Sequence, residues 1–420
     1  MISLKRIRNN PDEFRAAVSQ KGESIDAGRI LQLDEEIRKI IQEVESLKAE
    51  RNRASDEIGT LRKAGEDADN LMGEMKSLSA TIKTRDAALK DSRKELDELL
   101  RWVPNFPHPS VPIGADESAN VEVRTWGEPP DMDFEPADHL ELGRSLGIFD
   151  FERSSKISGS GFPLFMGKGA TLERALINFM IEHHTGRGYS EIFPPFLASR
   201  DAIEATGQLP KLEEDMYLVM EDDLFLIPTA EVPVTNIHRD EILSHDQLPI
   251  RYVAYSACFR REAGSYGRET RGLLRVHQFN KVELVKFVEA ENSYDELESL
   301  TEDAESILQA LGIHYRVVSL SSGDLSFAAT KCYDLEVWAP GEKRWLEVSS
   351  CSIFESFQAR RANIRYRNKK GKLEFVHTLN GSGVATPRLM VALLESFQTE
   401  EGTVMMPEAL QPYTGFSVLK

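Results

Sequence analysis

The sequence predicts an α+β protein in two parts, an N-terminal antiparallel coiled-coil hairpin and a larger domain built on an antiparallel sheet flanked by helices. Three observations predict it. Apolar residues recur at heptad spacing in two registers between about 28 and 101, a proline-rich segment then breaks the pattern, and short strand-like runs follow with few helices between them. A chain of 420 residues also exceeds the length that one core usually serves, so two domains are expected, at 1–110 and 111–420.

The first register contains Ile30, Leu33, Ile37, Ile40, Val44, Leu47, Ala54, Ile58 and Leu61, with Arg51 in one seam slot. The second contains Leu71, Met75, Leu78, Ile82, Leu89, Leu96 and Leu99, with Arg85 and Ser92 in its weak slots. Spacings of three and four are those of a coiled-coil seam. The polar stretch RKAGEDADN between the registers is short, so the helices must fold back on each other. Each arm should extend roughly 45 Å at ~1.5 Å per residue. A hairpin of this kind has almost no concave surface and reads as a lever or probe, not as a pocket.

VPNFPHPSVPIG, residues 103–114, has four prolines and ends the helical pattern. Strand-like runs follow at LFLIP (224–228), KVELVKFV (281–288), HYRVVSL (314–320) and YDLEVWA (333–339). Helical stretches are expected at 171–189, 293–312 and 387–398. Consecutive strands with no helix between them argue for antiparallel pairing.

Composition limits the class. The chain is 41% hydrophobic and 29% charged, has no apolar run long enough to span a bilayer, and opens on MISLKRIRNNPDEF without an apolar signal core, so a cytoplasmic, non-membrane protein is expected. The net charge of −18 argues against sequence-independent nucleic-acid binding by the whole chain. Residues 26–101 hold 18 acidic and 15 basic side chains, which makes the hairpin the relatively cationic part. Cys258, Cys332 and Cys351 form no C-x-x-C pair and read as buried small hydrophobes. No G-x-G-x-x-G or G-x-x-x-x-G-K-[ST] pattern is present, so a nucleotide would not be held in a Rossmann or P-loop manner.

Three stretches carry candidate chemistry. FRREAGSYGRETRGLLRVHQFNKVELVKF, 259–287, reads as strand, long loop and returning strand, with Arg260, Arg275 and Phe279 facing one cleft. Guanidinium forks clamp phosphate oxygens and a ring face stacks a flat base, although a cross-strand surface pair would leave the same pattern. WLEVSSCSIFESFQARR, 345–361, puts Glu347 and Ser350 on a strand end, a pair suited to magnesium only beside a phosphate. LNGSGVATPR, 379–388, reads as a glycine-rich turn into a helix whose second residue is Arg388.

Together these stretches resemble the signature motifs of class II aminoacyl-tRNA synthetases. GRGYSEIFPP (186–195) is similar to the first, which builds the dimer interface; FRREAG with LLRVHQF is similar to the second; and NGSGVATPR is similar to the third. PTAEVPVTN (228–236), ACFRREAGSYGRETRGLLRVHQFNKVEL, EVSSCS with FQARR, and NGSG resemble the seryl-tRNA synthetase family over essentially the whole chain. The resemblance implies that L-serine and ATP form seryl-adenylate and pyrophosphate, and that the seryl group then passes to the 3′ end of tRNA(Ser), with or without tRNA(Sec) as a second acceptor. It implies ATP as substrate, Mg2+ or a similar divalent cation, a homodimer, a class II catalytic domain and a tRNA-binding hairpin.

Residue by residue, the resemblance implies catalytic roles for Arg260 at the α-phosphate and Arg388 at the far phosphates. It implies an ATP-binding set of Arg260, Arg261, Glu262, Arg275, Val276, Phe279, Glu347, Val348, Ser349, Ser350 and Arg388, in which Glu262 reads the adenine edge and Phe279 stacks the ring. Glu347 and Ser350 match the magnesium positions, and Thr229, Ala230, Glu231, Glu283 and Ser382 match the serine-binding positions. Arg29, Arg38, Arg51 and Arg53 are candidate tRNA contacts. Two departures stand out: Arg261 follows the key arginine where a small residue is common, and Pro387 precedes the last one where glycine is common. Strand alternation should turn Arg261 from the cleft, and proline in a first helical turn should leave Arg388 in place. AGSYGRETRG, with Arg268 and Arg271, is expected to meet the tRNA acceptor end, so that Arg268→Ala slows transfer and Arg260→Ala abolishes activation.

Overall fold

The computed structural model describes residues 1–263 and 271–420. Its contacts divide the chain into two compact units, one of residues 1–19 and 23–103, the other of residues 20–22 and 104–420.

In the first unit two short helices, Leu4–Asn9 and Pro11–Gln20, precede helices α1 (Ala27–Ala64) and α2 (Asp69–Arg101). Asp26 caps α1 by accepting from the Arg29 amide, and Gly65, at φ +74°, ends it with a left-handed turn. Ile30, Leu33, Ile37, Val44 and Ile58 of α1 and Ile82 and Leu96 of α2 are buried, and the other apolar seam residues are partly buried, whereas Arg85 is exposed. Ion pairs set the register of the two helices: Arg29 holds Glu95 at 2.7 Å, Arg85 holds Glu43 at 3.1 Å, and Lys48 reaches Asp86 at 3.5 Å. The Arg29 guanidinium is thus committed within the hairpin, and Arg38 pairs with Asp34.

The second unit is built on an eight-stranded sheet whose strands in chain order are β1 (Val121–Trp126), β2 (Ser190–Ile192), β3 (Ile250–Phe259), β4 (Gln278–Val288), β5 (Tyr315–Ser319), β6 (Lys331–Ala339), β7 (Arg344–Glu355) and β8 (His377–Ala385). In space they run β1-β5-β6-β7-β8-β4-β3-β2. Every pair is antiparallel except β2 with β3. Helices α3 (Gly167–Gly186), α4 (Ser293–Leu311) and α5 (Thr386–Ser396) form one buried cluster with the sheet, which takes Val282 and Leu284 from β4. Val285 and Phe287 of the same strand enter a second cluster with Ala359, Ala362 and Ile364. This two-residue alternation marks a sheet covered on both faces.

Two sequence expectations are corrected here. Glu347 and Ser350 lie inside β7, not at its end, and the register slips between Leu335/Glu336 of β6 and Ser349/Glu347 of β7. Residues three apart in a regular strand face opposite sides, and the extra residue at this bulge brings both to the same side. NGSG is likewise not a turn but part of β8, and Arg388 is the third residue of α5. Its glycines serve close approach: a Cβ on Gly381 would lie 2.7 Å from Cys351 Sγ, and one on Gly383 would lie 2.5 Å from His184 Nε2. His184 is buried, its pKa pushed down to about 4 mainly by burial, so the neutral ring donates to the Gly383 carbonyl at 2.9 Å. The three cysteines are buried thiols.

Candidate active site

On the face away from α3 and α5, the sheet floors a cavity of about 600 Å³. Strand alternation supplies its base: Phe279, Lys281 and Glu283 from β4, Ser350 and Ser352 from β7, and Asn380 and Ser382 from β8. Each set consists of positions two apart, so each was placed by the pleat.

One half is rich in guanidinium. Arg260 follows the last residue of β3, its amide bonded to the His277 carbonyl at 2.9 Å and its guanidinium 5.1 Å from the Phe279 ring centre. Glu262, at φ +53°, turns its carboxylate onto Arg275. Arg388 donates from Nε to the Leu274 carbonyl at 3.0 Å and from Nη1 to the Glu347 carbonyl at 2.9 Å, with a Glu347 carboxylate oxygen at 3.4 Å. Pro387 therefore leaves Arg388 in the cavity wall, as first-turn geometry requires. Such a set offers charge for a polyphosphate and a ring face for a flat base.

The other half is a buried polar pocket. Thr229 Oγ1 donates to Glu283 Oε2 at 3.0 Å and accepts from the Glu231 amide at 3.1 Å, and Lys281 pairs with the same Glu283 oxygen. Glu231 accepts from Gln358 at 2.6 Å and from Gln208 at 3.1 Å, and Gln358 is oriented in turn by Thr206 and Thr378. Burial, and secondarily the neighbouring Glu283, raises the Glu231 pKa to about 7. Two carboxylates with one resident ammonium suit a small cationic group with a hydroxyl.

Of the residues anticipated from sequence, Arg260, Glu262, Arg275, Val276, Phe279, Glu347, Val348, Ser350, Arg388, Thr229, Glu231, Glu283 and Ser382 line this one cavity. Three do not. Arg261 is exposed, and its amide donates to the carbonyl of Asp215, a residue of the cavity wall, at 2.7 Å. Ala230 packs among Val234 and Ala254 beneath the wall. Ser349 is buried on the opposite face of β7, donating to the Ser382 carbonyl at 2.6 Å. Arg268 lies outside the described residues. Sequence reasoning missed Lys281, although it sits midway between Phe279 and Glu283 at strand spacing, and it missed Gln208, Gln358 and Asn380, which only tertiary folding brings in.

The tRNA synthetase class II core domain (G, H, P, S and T) matches residues 217–397, which contain the paired arginines and the buried acidic pocket, and it places this sheet and cavity in the class II aminoacyl-tRNA synthetases. The Seryl-tRNA synthetase N-terminal domain matches residues 1–107. The chain belongs to the seryl-tRNA synthetase family. It is 57% identical over 421 residues to a serine--tRNA ligase of Caldicellulosiruptor saccharolyticus and 53% identical over 425 residues to one of Thermodesulfovibrio yellowstonii, each match covering 100% of both chains. Among solved structures it is similar to the seryl-tRNA synthetase of Pyrococcus horikoshii complexed with ATP, with a TM-score of 0.95 and 37% identity over 100% of this chain and 99% of that one. The cytoplasmic serine-tRNA ligase of Naegleria fowleri in complex with AMP is similar at TM-score 0.89 and 29% identity, covering 98% and 96% of the two chains.

Proposed function

We propose that the cavity joins L-serine to ATP and that the chain then passes the seryl group to tRNA(Ser). The serine carboxylate attacks the α-phosphorus, the bond to the β-phosphate oxygen breaks, and pyrophosphate leaves. Protein groups need form no covalent bond in this displacement, so positioning and charge stabilisation supply the rate. One observation carries the reading: a guanidinium-lined half and a buried carboxylate half open into a single cavity. Arg260 holds the α-phosphate, Phe279 stacks the adenine, Glu262 reads its edge, and Arg388 with Arg275 takes the distal phosphates. Thr229, Glu231, Glu283 and Ser382 hold the serine ammonium and hydroxyl. Alanine would leave these polar groups unpaired, and threonine is excluded by shape.

Glu347 and Ser350 suit magnesium. Both present oxygens to the cavity on one side of β7, and the ion favours one or two carboxylates plus phosphate oxygens. When bound, it would neutralise developing phosphate charge. Residues 1–110 serve as the tRNA-binding domain and 111–420 as the catalytic domain, in a cytoplasmic homodimer. The tRNA(Sec) acceptor is tested by charging that tRNA with the same enzyme.

Serine-dependent exchange of pyrophosphate into ATP is the deciding assay. The wild-type enzyme should exchange, and Arg260→Ala should lose about 10²–10³-fold or more in turnover, the usual loss for a charge-stabilising donor. Absence of exchange in the wild type, with alanine or threonine also inactive, overturns the reading.

A further inference from the structure

We propose that His139 is a positioning residue for the nucleotide half of the cavity, its ring holding the backbone on which Arg388 rests. The proposal builds on the reading of that half as the ATP site. His139 opens a short helix, His139–Ser145, and is fully buried. Its Nε2 accepts the Leu273 amide at 3.3 Å. Acceptance there leaves the ring proton on Nδ1, which faces Glu342 Oε1 at 3.2 Å and Glu395 Oε1 at 3.4 Å without making a hydrogen bond to either, so the ring is tied through Nε2 and the residue through its backbone amide. Glu395, itself without solvent exposure, takes the amides of His139 at 2.9 Å, Gly341 at 2.9 Å and Glu342 at 3.0 Å.

These bonds close a circuit. Leu273 is held by His139, and the next carbonyl, that of Leu274, receives Arg388 Nε at 3.0 Å. Arg388 and Glu395 both stand on α5, about two turns apart. The helix therefore reaches out at one end through Glu395 to His139, and at the other end rests Arg388 on the backbone that His139 fixes. Two further contacts tighten the fit. Gly272, at φ +59°, comes so close that a Cβ would lie 2.2 Å from His139 Nε2, and Arg271 pairs with the helix-capping Asp138. One histidine and two carboxylates also form a set that could ligate zinc. Ligation through Nδ1 would move the proton to Nε2, where it would face the Leu273 amide, so the hydrogen bonding favours the proton-bearing arrangement.

The test uses full-length enzyme in the pyrophosphate exchange assay, with the KM for ATP and for serine measured separately. His139→Phe keeps a ring but removes the acceptor, and His139→Gln keeps an acceptor. His139→Phe should raise the ATP KM about tenfold or more and lower turnover, with the serine KM within about twofold, since small misplacements of a positioning group cost up to ~10²-fold. His139→Gln should recover most of the loss. Gly272→Ala, which keeps His139 but drives a methyl group into its ring, should reproduce the ATP-selective defect if the Phe variant does not fold. Equal rises in both KM values, or unchanged kinetics in the Phe variant, would overturn the proposal. So would one equivalent of zinc in the wild-type protein that the Phe variant lacks. Loss of exchange in the wild type would instead indict the underlying reading of the cavity.

Discussion

A carboxylate taken from water beside a second carboxylate favours its protonated form, and this sets the behaviour of Glu231, whose pKa stands at about 7. Its folded value lies above the ordinary 4.5, so the folded state binds the extra proton and stability is drawn down as pH rises between the two values. In the proposed role the ionised form attracts the serine ammonium. The serine KM should therefore fall as pH climbs through about 7, with the ATP KM flat over the same interval. Glu231→Gln keeps the shape but cannot ionise; its single carbonyl oxygen can accept from Gln208 or from Gln358, not from both as the carboxylate does. The variant should lose the pH dependence and show a serine KM raised about tenfold at alkaline pH. A pH profile in the variant that still bends near neutrality would remove Glu231 from this role. Lys281 shares Glu283 with Thr229, so the wild-type pocket holds a balance of charge that the substrate completes.

At the scale of elements, what could be read in advance was whatever one period or one local spacing encodes. The heptads of α1 and α2 name their own buried face, and the buried Ile30, Leu33, Ile37, Val44 and Ile58 follow them. The strand pattern also put Arg260 and Phe279 at one cleft, because they flank paired positions, Cys258 lying opposite Phe279. Two features escaped for physical reasons. A bulge cannot be counted from one strand alone, so the shared face of Glu347 and Ser350 is invisible in sequence, and the polar run Ser349, Ser350 and Ser352 reads as a strand end although the strand runs on to Glu355. Glycines that admit Cys351 and His184 look in sequence like a turn. The hairpin carries its own prediction. The α2 face bearing Lys90, Arg93 and Lys94 is exposed beside Asp97 and Glu98, and its cations can follow an RNA backbone. Lys90→Glu, Arg93→Glu and Lys94→Glu combined should raise the tRNA KM and flatten its salt dependence while serine-dependent exchange keeps its wild-type rate. Equal damage to exchange would place those residues in folding rather than in tRNA binding.

For the whole molecule, a net charge of −18 repels a polyanion, so tRNA must be held by local cationic surface and not by the bulk field. The hairpin belongs to one compact unit and the cavity to the other, so the proposed tRNA-binding role of the hairpin would separate holding from chemistry. The proposed homodimer then decides which hairpin serves which cavity. Phe193, 74% exposed and grouped with the rings of Phe196 and Tyr255 at 6.0 and 6.2 Å, is an apolar surface suited to a second copy. Sedimentation should give about twice 47.3 kDa, and Phe193→Asp should lower the mass toward a single chain. If tRNA held by one subunit is aminoacylated by the other, two defective chains can complement each other. Arg260→Ala chains have working hairpins but no activation, and the triple Glu variant has working cavities but weak hairpins. Refolded together in equal amounts, half the dimers are mixed, and each contains one working hairpin facing one working cavity across the interface. Charging of tRNA(Ser) should return to roughly a quarter of the wild-type level. Service within one subunit would leave every mixed dimer without a complete pair, so charging at the level of the separate variants would refute the arrangement.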